Sequence, residues 1–191
     1  MSVLESLPST TKVFSYNNYP ETNYEFDLSL IPDSAKHVAL NVRDCPYHGT
    51  FSEQLTYLSL DLYRYPVSFV ECYKQFNIGQ LPNLLTFVVL VLPLIEHDLR
   101  DIVFSPKLYH FELRFGTGNN ALYFCPTPSK VPSKCVRIYE IPETISEFII
   151  MCPTSECSDA VKVIASGQLS VEDLKNRVIT LPELSYGFEF L

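Results

Sequence analysis

Leu55-Thr56-Tyr57-Leu58-Ser59-Leu60 and Leu108-Tyr109-His110-Phe111-Glu112-Leu113 have the same shape: an apolar residue, then two more at the fourth and sixth positions. One polar residue separates the closing pair in each, the period of a strand that buries one face. Phe51-Ser52-Glu53-Gln54 leads into the first hexapeptide and Phe104-Ser105-Pro106-Lys107 into the second. Five more segments have this leader, with Pro in place of Ser: Leu7-Pro8-Ser9-Thr10, Ile31-Pro32-Asp33-Ser34, Leu81-Pro82-Asn83-Leu84, Ile141-Pro142-Glu143-Thr144 and Leu181-Pro182-Glu183-Leu184. Seven residues after the starts stand Phe14, Val38, Leu58, Val88, Phe111, Phe148 and Phe188, and nine after them Tyr16, Leu40, Leu60, Leu90, Leu113, Ile150 and Phe190. All fourteen are apolar or aromatic in a chain that is 47% hydrophobic. Four residues after the starts the column reads Thr11, Ala35, Leu55, Leu85, Leu108, Ile145 and Ser185, so the unit approximates L-x-x-L-x-L.

The residues beside and between the paired positions differ in kind. They include His37 and Asn41, Tyr57 and Asp61, His110, Glu112 and Arg114, and Glu147 and Met151. In the fourth unit they are Phe87 and Val89, which makes that strand apolar on both faces: it is either covered on both sides or carries a contact patch. These eleven residues form the expected partner-binding face, with aromatic side chains as anchors and charges setting specificity.

The starts are spaced by 24, 20, 30, 23, 37 and 40 residues, which leaves room for a helix or an inserted element between strands. Val67, Val70, Tyr73 and Phe76 recur every three residues after Pro66, and Leu94, Ile95, Leu99 and Ile102 follow Pro93; both patterns predict short amphipathic helices. Ser170-Val171-Glu172-Asp173 reads as a capping box with Asp for Glu, opening a helix through Arg177. The recurring proline lacks an N–H and fixes its own φ, so it ends a helix before the next strand begins.

Strand, turn and helix in this order resemble irregular leucine-rich-repeat arrays, of the kind found in F-box substrate receptors of ubiquitin ligases. The resemblance runs from Leu7 to Leu191 and treats residues 1–191 as a single domain of about seven units, starting near 7, 31, 51, 81, 104, 141 and 181. It implies an α/β solenoid with a curved parallel sheet and short convex helices, and a concave sheet face that binds another protein, as a ubiquitin-ligase-type adaptor does. Such repeats carry Asn or Cys three residues after the last strand leucine; here that column reads Tyr19, Arg43, Tyr63, Pro93, Gly116 and Pro153. A second reading of the same strands and of the 14 prolines is an all-β sandwich serving as a structural or viral assembly subunit.

Composition narrows the function. A net charge of −8 repels phosphate backbones, and Lys130 to Arg137, the longest basic stretch, holds three cations diluted by Pro and Val, so it reads as a solvated loop rather than a nucleic-acid site. The most apolar run, Leu84 to Ile95, is too short to span a bilayer and contains a proline. Met1 to Ser6 lacks the basic start and apolar run of a signal peptide. With no dense disulfide framework among six cysteines, this predicts an intracellular, cytoplasmic or nuclear, protein.

Chemistry-bearing residues are scattered. Cys152 and Cys157 are separated by a four-residue spacer, with Cys125 and Cys135 upstream, while Cys45-Pro46-Tyr47-His48 stands alone; these make no two clean zinc pairs and read as ordinary thiols. No G-x-S-x-G occurs, and His37 and His110 fall on the polar strand face, where contact is the expected role. Gly116-Thr117-Gly118 has no following Lys-Ser/Thr and reads as a turn. No catalytic residue, metal or cofactor is expected, and the protein is read as a non-enzyme. Phe190-Leu191 falls inside the seventh expected strand, and an end strand offers backbone and apolar surface for a capping chain or another copy to cover.

Overall fold

The leader segments close tight turns. In five of them the residue four after the start donates its backbone N–H to the residue one after it: Thr11 to Pro8, Ala35 to Pro32, Leu55 to Ser52, Leu108 to Ser105 and Ile145 to Pro142, at 2.8–3.1 Å. Proline suits the accepting position, because its carbonyl is free to accept and its missing N–H is not needed. The donors Ala35, Leu55, Leu108 and Ile145 are buried, so each turn plants one apolar side chain in the core just before a strand.

The computed structural model describes residues 7–17, 26–41, 47–62, 69–91, 97–115, 134–152 and 161–182. In chain order the elements are β1 (Val13–Asn17), β2 (Phe26–Asp27), β3 (His37–Asn41), β4 (Tyr47–His48), β5 (Tyr57–Asp61), α1 (Phe69–Gln75), β6 (Thr86–Val91), β7 (His97–Asp98), β8 (His110–Phe115), β9 (Lys134–Ile138), β10 (Glu147–Cys152), β11 (Val161–Ala165), α2 (Val171–Arg177) and β12 (Val178–Pro182), with 3-10 turns at Leu28–Leu30 and Ile78–Gln80. Seven strands form one sheet in the order β1-β3-β5-β6-β8-β10-β12; β11-β9-β7 and β2-β4 form two smaller ones. Every pairing among the described residues is parallel. A parallel neighbour needs a crossover, and the chain supplies one each time by leaving the large sheet for a short strand or helix and returning beside the strand it left. The architecture is therefore α/β with a large parallel sheet and few helices. The all-β sandwich is overturned, because its hairpins would pair antiparallel.

The register carries two core columns across the sheet. One runs Phe14, Val38, Leu58, Phe87, Phe111, Phe148 and Val178; the other runs Tyr16, Leu40, Leu60, Val89, Leu113 and Ile150. Rings pack along the first column: Phe87 stacks on Phe111 at 5.7 Å, and Phe111 meets Phe148 edge-on at 4.9 Å. From α1, Phe69, Cys72 and Tyr73 enter the same core, as does Leu174 from α2. Such ring pairs contribute about 0.5–1.5 kcal/mol each beyond their buried area.

Four expectations need correction. In the fourth unit Val88 and Leu90 are not the core pair; Phe87 and Val89 are, because the turn closes one residue early, from Leu84 to Leu81. Leu84 is therefore the buried residue before this strand, while Leu85 is exposed. The seventh strand is Val178–Pro182, emerging directly from α2, so Leu181-Pro182 lies inside a strand rather than opening a turn. Phe188 and Phe190 lie outside the described residues. The helix expected over 94–102 is not formed in its described part, where His97–Asp98 is a strand and Leu99 and Ile102 close a turn. Finally, the basic stretch ends in strand β9, where Val136 is buried.

Two helices stand where expected. In α1 the buried stripe is rotated from the expected one to Phe69, Cys72 and Tyr73, continued by Phe76 just past the helix, with Val70 half-buried. At α2 the capping box forms as read, with the Asp173 N–H donating to the Ser170 hydroxyl and the Ser170 N–H to the Asp173 carboxylate, both at 3.0 Å.

Neighbouring units are stitched at the turns. The Lys12 carbonyl accepts from the N–H groups of Lys36 and His37, that of Lys36 from Thr56 and Tyr57, that of Thr56 from Leu85 and Thr86, and that of Leu85 from Tyr109 and His110. Side chains add to this: the Ser34 hydroxyl donates to the Thr11 carbonyl at 2.7 Å, and the Asn83 amide to the Glu53 carbonyl at 3.0 Å. The Asn/Cys column at Tyr19, Arg43, Tyr63, Pro93, Gly116 and Pro153 lies outside the described residues. Among those residues no helix is long and apolar enough to cross a membrane.

Candidate functional site: the open face of the large sheet

Strand alternation turns every second side chain of the large sheet away from the core, and the parallel register gathers these into rows. The first row, at the strand beginnings, is Val13, His37, Tyr57, Thr86, His110 and Glu147. The second is Ser15, Ala39, Ser59, Val88, Glu112, Ile149 and Ile179; the third contains Asn41, Asp61, Leu90, Arg114 and Met151.

Nine of the eleven residues expected on the partner-binding face occupy these rows. Phe87 and Val89 do not. They are in the core, at 1% and 0% exposure, and the one-residue shift of the turn puts Val88 and Leu90 on the face instead. The nine also differ in access. His37 and Glu147 are exposed; Tyr57, Asp61, His110, Arg114 and Met151 are half-buried; Asn41 and Glu112 are buried. Val88 and Leu90 are buried as well, so contact surface is concentrated along the first row and toward the β10–β12 end, where Ile179 is 48% exposed.

Two local arrangements stand out in these rows. The His37 ring stacks on Tyr57 at 5.6 Å and 28°, because the two residues are direct cross-strand partners. Across β8 and β10 a charged cluster forms. Arg114 donates to both oxygens of Glu112, Nε at 2.7 Å and Nη2 at 3.0 Å, since residues two apart on a strand share a face. Such a two-pronged contact is the strongest geometry open to this ion pair, and it compensates the burial of the Glu112 carboxylate. His110 lies between two carboxylates, with Nδ1 at 2.6 Å from Glu147 and Nε2 at 3.5 Å from Glu112. The cluster offers charge and hydrogen bonds at fixed positions, which suits recognition.

The remaining chemistry-bearing residues are dispersed. His97 is buried between the rings of Phe69 and Phe115, and His48 lies 3.3 Å from Asp27 in the small β2-β4 sheet. Cys72 is buried in α1, and desolvation pushes its thiol up to about 12, with Glu71 adding to the shift. Cys45, Cys125, Cys157 and the Gly116-Thr117-Gly118 segment, expected to be a turn, lie outside the described residues. No group of three or more metal-ligating side chains occurs among the described residues.

Sequence reasoning missed Thr86, Val88, Leu90 and Ile179 on this face. Thr86, Val88 and Leu90 share one register of β6, and Phe87 to Val91 is apolar in both registers, so hydrophobicity cannot choose between them. Ile179 needed the position of β12, which follows a helix and has no leader turn. No protein-family model matches the chain, and no curated protein or solved structure matches it.

Proposed function

We propose that the chain is an irregular leucine-rich-repeat-like solenoid, a single domain that binds a partner protein on the open face of its large sheet and does no catalysis itself. The observation that carries this reading is the seven-strand parallel register, which brings side chains from six separate units into continuous rows. Parallel strands joined by alternating crossovers are the arrangement expected of stacked repeats. Within the face, the binding surface is narrowed to the accessible members: His37, Tyr57, His110 and Glu147 along the first row, with Asp61, Arg114 and Met151 beside them. Tyr57 is the anchor, an aromatic ring already held by its stack on His37. The acidic chain favours a protein partner over nucleic acid. By its resemblance the role is that of an adaptor, of the ubiquitin-ligase type, working in the cytoplasm or nucleus. The β12 end of the sheet is the place for a capping chain or a second copy.

The test compares affinity capture by the wild-type chain with capture by a His37→Ala/Tyr57→Ala/Glu147→Ala variant. The expected result is a protein retained by the former and lost by the latter, with matching circular dichroism and melting temperature. Equal retention by two well-folded chains would remove the face from the binding account.

A further inference from the structure

We draw no further inference here: the strongest candidate, the His110–Glu112–Arg114–Glu147 cluster on the open face of the large sheet, belongs to the site already described.

Discussion

Leu84 and Leu85 are adjacent, alike in chemistry and opposite in fate: the first is at 0% exposure, the second at 38%. Replacing Leu84 with Ala removes a filled core position and is expected to cost about 2–5 kcal/mol, whereas Leu85→Ala is expected to cost less than about 1 kcal/mol. Urea unfolding of the two variants measures the difference, and a larger cost at Leu85 than at Leu84 would mean that the fourth turn closes where the sequence first suggested. A second residue-scale expectation concerns Cys72. Its buried thiol, raised to about 12, holds almost no thiolate at neutral pH. Iodoacetamide is expected to leave Cys72 unlabelled in the folded chain and to label it in urea, as read by peptide mass spectrometry; rapid labelling of the native protein would contradict the packing of α1.

At the scale of elements, the turns carry much of the specification. Gly79, in the 3-10 turn before β6, approaches the backbone so closely that a Cβ there would stand 2.1 Å from the Val103 carbonyl oxygen. Gly79→Ala is expected to destabilise by about 1–3 kcal/mol through this overlap, measured by the same unfolding experiment. Asp173 and Asp27 each terminate an element through hydrogen bonds. Asp173 is held below the usual carboxylate range first by the Ser170 hydroxyl and then by the Ser170 N–H, and Asp27 by the corresponding groups of Ser29. A carboxylate whose folded value is depressed stabilises the fold above its unfolded value of about 3.9 and loses that contribution as pH falls through the folded value. Thermal melts between pH 5 and pH 2 are expected to show a shallower acid limb for Asp27→Asn/Asp173→Asn than for wild type.

These elements also mark how far the sequence was legible. Six of the seven large-sheet strands were readable because a leader turn and an alternating pair announced them. The α2 capping box was readable because Ser170 and Asp173 have the required spacing. The register of β6 was not, since both of its faces are apolar and only the turn geometry at Leu81–Leu84 distinguishes them. Nor was β12, which takes its place from α2: the Arg177 guanidinium at the end of that helix donates to the Ile141 and Pro142 carbonyls, 36 and 35 residues away. Such long-range contacts leave no local pattern. On the open face, polarity revealed which side chains point away from the core; it did not reveal that Asn41 and Glu112 are buried there, because burial on that side depends on neighbouring strands.

At the scale of the whole molecule, the large sheet has two ends and a middle. β5, β6 and β8 are bonded on both sides and carry Leu58, Phe87 and Phe111, all at 0–1% exposure, whereas β1 and β12 each have one sheet neighbour among the described residues. Hydrogen exchange is expected to be slowest in the three middle strands and fastest in the two end strands; uniform protection would mean that the ends are held by more than their single neighbours. The ladder of parallel strands is the claim on which fold and proposed face both depend. The most direct measurement is the set of nuclear Overhauser contacts between side chains of the central column in the isotope-labelled chain. The structure predicts an unbroken series from Val38 to Leu58, Phe87, Phe111 and Phe148. Contacts that route through Val88 instead of Phe87, or cross-strand α-proton pairs of antiparallel neighbours, would contradict it.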